Sequence, residues 1–184
     1  MRRSVAILIS IGLIGNCWNP SRIEAFVRNP DRCHFGTTIA RYRFNSVPSV
    51  FQTLHADGVT RWNNHPTGIT LAVAGTNFAN IDVYSSQSAS GNYAVTLGGC
   101  VYGAAWTNNH VSITYYTGYT LPAMQWRGIA THELGHAFGL THVPLLSCGA
   151  GAAVMYASVP PILAACGSGF PWSDDVSGVD SIYP

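Results

Sequence analysis

The spacing of apolar positions changes along the chain and predicts short strands alternating with helices. Residues 40–44 alternate arginine with apolar or aromatic residues, as a half-buried strand would. Residues 48–64 place most of their apolar side chains at helical spacing, although Gly58 weakens the centre of that helix. Further short strands are predicted at residues 69–74, 81–84, 93–97 and 111–116, separated by turns rich in Gly, Asn and Ser.

Two more helices complete the predicted fold. One covers residues 122–138, with Pro122 near its first turn, and the other covers residues 173–183. Ser173 is the predicted N-cap of the second, and two aspartates follow in its first turn, where negative charge is favourable. We therefore expect an α+β fold, with a twisted mixed sheet of about five strands. No repeat, linker or second domain is indicated.

The first residues predict export. Arg2 and Arg3 precede an apolar stretch of eleven residues, 5–15, which is too short to span a bilayer and suits a signal peptide. Cleavage after Ala25 would remove residues 1–25, although Ile23 makes the cleavage site imperfect. Residues 26–184 would then form a single secreted domain with no stable membrane span.

The amino-acid composition indicates which kinds of binding partner are unexpected for this chain. Hydrophobic residues make up 47% of the chain and charged residues 9%, which argues against disorder. The net charge is +1, with nine arginines, no lysine and no basic run, so no nucleic-acid surface is expected. Outside the last helix only Asp31, Asp57 and Asp82 could offer carboxylates to calcium in the mature chain, so structural calcium is not supported. The oligomeric state is not indicated, and a monomer is the default.

The strongest chemical signal is the stretch from His132 to His142, which matches H-E-x-x-H-x-x-G-x-x-H. On a helix, His132 and His136 project from one face, so both ring nitrogens can meet one metal ion. Gly139 can end the helix in a left-handed conformation, after which His142 can supply a third ligand. Three imidazoles with an open fourth position are typical of a catalytic zinc. Glu133 is placed to serve as general base and need not bind the metal.

At these residues the sequence resembles the metzincin clan of zinc endopeptidases, and within it the matrixins. Met155 follows His142 by thirteen residues and is similar to the methionine turn of that clan. Residues 172–183 are similar to the matrixin C-terminal helix, which reads D-D-x-x-G-x-x-x-L-Y. The sequence departs from the family in two ways. The cysteine-switch propeptide is absent, and Ala157 takes the place of the proline that usually follows the Met-Tyr pair of matrixins.

The resemblance implies a metzincin-like catalytic domain with one catalytic zinc and a peptide or protein substrate. Zinc would polarise the scissile carbonyl, and Glu133 would act first as general base and then as general acid. The family implies a substrate that adds as a strand to a sheet edge. We predict that this edge lies at residues 101–106, with Gly103, Ala104 and Ala105 contacting substrate.

Four cysteines remain after signal removal, which in an exported domain indicates two disulfides. Three pairings are possible. We favour Cys148–Cys166, because it would staple the loop that carries Met155, and then Cys33–Cys100 by elimination. A rival interpretation makes Cys33 a thiolate that blocks the zinc.

Two other functions stay open at this point. The chain could be a catalytically silent module that holds zinc for a binding or inhibitory role, although Glu133 is intact. It could instead hydrolyse the peptide cross-links of cell walls, although no cell-wall binding module is present.

Overall fold

The computed structural model describes residues 27–75, 78–88, 91–144, 148, 152–167 and 170–184. The predicted signal peptide, together with Cys17, lies outside these residues. The described elements, in chain order, are β1 (Val27–Arg28), β2 (Ile39–Phe44), α1 (Ser49–Asn63), β3 (Thr70–Val73), β4 (Ile81–Ser86), β5 (Ala94–Leu97), β6 (Val111–Tyr116), α2 (Ala123–Phe138), β7 (Leu140–Thr141), α3 (Val159–Cys166) and α4 (Ser173–Ile182).

Five of the strands form one mixed sheet in the order β3-β2-β4-β6-β5. The pairs among β3, β2, β4 and β6 are parallel, whereas β5 runs antiparallel to β6 at one edge. β2 and β6 alternate buried and more exposed residues, so one face of the sheet turns towards the core. The predicted α+β class and five-stranded mixed sheet are confirmed.

The helices α1 and α2 pack against each other at very short range. A Cβ atom at Gly58 would lie 3.2–3.3 Å from atoms of Ala130 and Thr131, so a larger residue there would require α2 to move by a few tenths of an ångström. The indole N–H of Trp62 donates to the carbonyl of Thr131 at 2.9 Å. The glycine that weakens α1 as an isolated helix therefore allows α1 to approach the helix that carries the histidine motif.

The predicted edge strand at residues 101–106 is wrong. That segment forms turns: Gly103 has a φ of 74°, and its N–H donates to the carbonyl of Asp31 at 2.7 Å. Ala105 makes a single bridge with His34. The edge strand on this side of the sheet is β5. Helix α3 was not predicted, and β1 pairs antiparallel with β7 although the two are far apart in sequence.

Both predicted disulfides are present. Cys33 pairs with Cys100, at a Cα–Cα distance of 5.8 Å, and Cys148 pairs with Cys166, at 5.2 Å. Because Cys33 is bonded, the rival interpretation of a free thiolate that blocks zinc is wrong. No helix in the described ranges is long and apolar enough to cross a membrane.

Candidate metal centre

Three imidazole rings converge at the end of α2. His132 and His136 lie one turn apart on this helix, which ends at Gly139 with a φ of 104°, as the sequence predicted. The chain then continues through β7 to His142. The Nε2 atom of His136 lies 3.0 Å from that of His132 and 3.1 Å from that of His142, and the third pair is 3.2 Å apart.

Backbone carbonyls fix the orientation of two of these rings. His132 donates from Nδ1 to the carbonyl of Val154 at 2.7 Å, and His136 donates from Nδ1 to the carbonyl of Leu140 at 2.9 Å. A neutral ring that donates from Nδ1 presents a lone pair at Nε2. These lone pairs therefore point at a common centre, an arrangement that is unfavourable unless a cation lies there.

The donor set fits zinc. A tetrahedral zinc with Zn–N bonds of about 2.0–2.1 Å needs nitrogens roughly 3.3–3.4 Å apart, close to the separations in this cluster. Burial lowers the pKa of His132 well below its ordinary value and lowers that of His136 to about 4, so both rings are neutral near pH 7. Burial also lowers the pKa of His142, which is the most exposed of the three histidines.

Glu133 lies beside the metal cluster and is 5% exposed. The hydroxyl of Thr96, on the edge strand β5, lies 2.7 Å from the Glu133 carboxylate and 3.0 Å from its backbone carbonyl. Burial raises the pKa of Glu133 to about 7, and the hydrogen bond from Thr96 opposes that rise. Sequence reasoning missed Thr96, because no local pattern joins a strand hydroxyl to a helix residue 37 positions away.

Met155 is 1% exposed and lies in a tight turn under α2. A Cβ atom at Gly135 would overlap the Met155 sulfur, so the methionine packs directly against the helix between the two histidines. The carbonyl of Met155 accepts the N–H of Val143 at 3.0 Å, next to His142. The turn at Met155 thereby supports the helical ligands and the third ligand together.

Asp175, in the first turn of α4, fixes the same turn from the other side. Its fully buried carboxylate accepts N–H groups from Val154 at 2.8 Å, from Met155 at 3.3 Å and from Trp172 at 2.9 Å. Burial raises the pKa of Asp175 to about 7, and these three N–H groups act in the opposite direction. The predicted N-cap at Ser173 is wrong: Trp172 occupies that position, and Asp175 accepts its N–H.

A cleft of about 370 Å³ opens at the metal centre. One wall is the edge strand β5, including Ala94, Val95 and Thr96. The opposite side is formed by α2 and by residues 157–159, which follow the Met155 turn. The described residues that line the cleft do not include the predicted contacts Gly103, Ala104 and Ala105, because the disulfide to Cys100 and the turn at residues 101–104 place that segment elsewhere.

The remaining histidines stay apart from the cluster. His55 is fully buried in α1, with its Nδ1 2.8 Å from the Tyr115 hydroxyl, and burial lowers its pKa to about 3. His110 lies 3.0 Å from the Asp82 carboxylate, which also binds Arg43. Among the described residues, the group of metal-binding side chains that comes together is His132, His136 and His142.

Comparison with known proteins adds a likeness of fold. No family model and no curated protein matches the sequence. A chain in the GM1-bound form of the ECX AB5 holotoxin is similar in structure, with a TM-score of 0.57 and 11% sequence identity. The alignment covers 86% of this chain and 84% of that chain, so the likeness extends over most of both. At this identity it shows the fold alone.

Proposed function

We propose that the protein is a secreted zinc-dependent endopeptidase of the matrixin-like metzincin type. The observation that carries the proposal is the convergence of three Nε2 atoms, 3.0–3.2 Å apart, beside the buried carboxylate of Glu133. The long histidine motif, the buried Met155 and the C-terminal helix that holds its turn support the same assignment. Two disulfides suit an oxidising compartment.

In this proposal His132, His136 and His142 hold zinc, which supplies Lewis-acid polarisation of the scissile carbonyl and acidifies water. Glu133 removes the proton from the attacking water and returns it to the leaving amine. Burial, which raises the pKa of this carboxyl, favours its acceptance of the proton. Thr96 keeps the carboxylate of Glu133 in place through its hydroxyl.

The edge strand β5 is the proposed track for the substrate backbone. It pairs with β6 on one side and lines the cleft with residues 94–96. An extended peptide added beside β5 would place its backbone across the metal centre by β-augmentation. This assignment replaces residues 101–106 as the substrate-binding edge.

The test is cleavage of a random peptide library by the exported, disulfide-bonded protein, with the cut sites read by mass spectrometry. We expect cleavage of internal peptide bonds by zinc-loaded protein and none after chelation. Glu133→Ala should bind zinc and keep its fold, but lose activity by several orders of magnitude, because it lacks the proton acceptor.

Three outcomes would contradict the proposal or part of it. A folded, zinc-loaded protein that cuts nothing would be a silent zinc-holding module. Cleavage confined to cross-linked cell-wall peptides, with the linear library intact, would make the protein a cell-wall peptide hydrolase. A Glu133→Ala variant that retains most of the turnover would remove Glu133 from the mechanism.

A further inference from the structure

Charged residues are nearly absent from two long segments of this chain. Residues 83–126 contain no Asp, Glu, Lys or Arg, and residues 128–173 contain only Glu133. Apart from Asn29 and Pro30, the described residues that line the cleft all belong to these two segments. The scarcity of charge among the described residues of the cleft therefore follows from the two sequence segments that supply its walls.

Apart from Glu133 and the three histidines of the metal centre, the described side chains on the cleft walls are uncharged, either apolar or able to form uncharged hydrogen bonds. Apolar contacts come from Val95 on β5 and from Ile129 and Val159 on the opposite wall. Uncharged polar groups include those of Asn92 and Ser158. Asn29 and Pro30 are flanked in sequence by the charged residues Arg28 and Asp31, neither of which lines the cleft, and Arg28 donates to Ser181.

Electrostatics then decides which substrate residues the cleft accepts. A charged side chain that enters it gives up part of its hydration and meets no opposite charge on the walls. Glu133 does not compensate, because its carboxylate is held by the Thr96 hydroxyl and, in the proposed reaction, serves the attacking water and the leaving amine. The metal centre does not compensate either, since in the proposed reaction it receives the scissile carbonyl. An uncharged side chain of the same size avoids this penalty.

We propose that the substrates are extended peptide segments with uncharged residues on both sides of the scissile bond, and that the cleft rejects acidic and basic residues alike. This inference rests on the proposed peptidase function. It differs from selection by one charged pocket, which would reject one sign of charge and favour the other.

The first test uses a reference peptide that the protein cleaves and that is neutral for three positions on each side of the cut. Each position is replaced in turn by Gln, Lys or Glu, and kcat/KM is measured. We expect Lys and Glu each to lower kcat/KM about tenfold or more relative to Gln at positions nearest the cut. Equal cleavage of the Gln and charged peptides, or acceptance of one sign at those positions, would overturn the inference.

The second test changes the wall. Ala157 lines the cleft and is exposed, so a longer side chain there has room in solvent. Ala157→Asp should raise the Lys-to-Gln ratio of kcat/KM about tenfold, and Ala157→Lys should raise the Glu-to-Gln ratio similarly, while Ala157→Asn serves as the uncharged control. Unchanged ratios in both charged variants would count against the proposal.

The proposed peptidase function and the inferred substrate class can be refuted separately. If the wild-type protein cleaves no peptide, neutral or charged, the peptidase function is wrong. If it cleaves charged peptides as well as neutral ones, or better, the function stands and the inferred substrate class is wrong.

Discussion

Removal of the Cys148–Cys166 disulfide should weaken the fold and the cleft wall before it weakens the metal site. The bond closes a segment with a sequence separation of 18 that contains Met155 and the cleft residues 157–159. The perturbation is the double substitution Cys148→Ala with Cys166→Ala. The control is the matching removal of Cys33–Cys100, whose sequence separation is 67.

The expected loss of stability follows from loop length. Closure entropy gives about 3 kcal/mol for a separation of 18 and about 4 kcal/mol for a separation of 67. Cys148 is exposed and Cys166 is half-buried, so the first substitution leaves little cavity. Cys33 is 2% exposed, so the control also removes core packing and should lose more stability.

Urea unfolding in the presence of a chelator measures these free energies without a contribution from the metal. For a domain of this size, a loss of about 3 kcal/mol corresponds to a fall in Tm of roughly 6–12 °C. Zinc affinity, measured by competition with a chromogenic chelator, should change less than about tenfold, because Asp175 still holds the turn at Met155 through backbone N–H groups. Peptide preference should change, since the wall at residues 157–159 loses its restraint.

Two results would refute this reasoning. An unchanged free energy of unfolding in the Cys148→Ala, Cys166→Ala protein would show that the disulfide does not restrain the unfolded chain as supposed. Loss of zinc binding at unchanged stability would show that the disulfide, and not Asp175, holds the methionine turn.

Two further predictions concern single side chains. Thr96→Val should lower kcat about tenfold with little change in KM or zinc content, because it removes the hydroxyl that positions Glu133. Thr96→Ser keeps a hydroxyl and should retain activity, so an equal loss of activity in both variants would contradict this role. Burial lowers the pKa of His55 to about 3 in the folded protein, whereas the unfolded chain binds a proton there below about pH 6.5. The free energy of unfolding should therefore decrease as the pH falls from about 6.5 towards 3. When the pH is lowered from 8 to 5 in the presence of a chelator, the free energy of unfolding measured in urea should fall by about 2 kcal/mol more in the wild type than in His55→Gln. Equal decreases in the two proteins would refute this prediction.

Much of the fold follows from local pattern. Strands β2, β4 and β6 are buried on one or both faces, and their apolar spacing places them within two residues of their observed bounds. Helix α2 combines helical spacing with a proline at its start and a glycine at its end, so its bounds are predicted closely. The three histidine ligands follow from the same helix geometry, because spacing of four residues and a glycine turn determine which rings can meet.

What the sequence did not predict depends on contacts between distant parts of the chain. Thr96 meets Glu133 only because β5 is the edge strand that faces α2, and the strand order of a sheet is not a local property. From the local sequence, Asp175 is predicted only as a favourable negative charge in the first turn of a helix. In the structure its carboxylate also accepts the N–H of Met155, 20 residues earlier in the chain. Residues 101–106 contain apolar and aromatic residues typical of a strand, but Gly103 and the disulfide at Cys100 impose turns.

The central claim is that one zinc ion, held by His132, His136 and His142, is required for peptide cleavage. The most direct measurement is a titration of chelator-treated protein with zinc, in which the rate of cleavage of a peptide selected from the library is followed. We predict that activity is absent at the start, rises in proportion to added zinc and saturates at one zinc per chain. Cleavage that persists without metal, or one equivalent of zinc bound with no cleavage at all, would contradict the account.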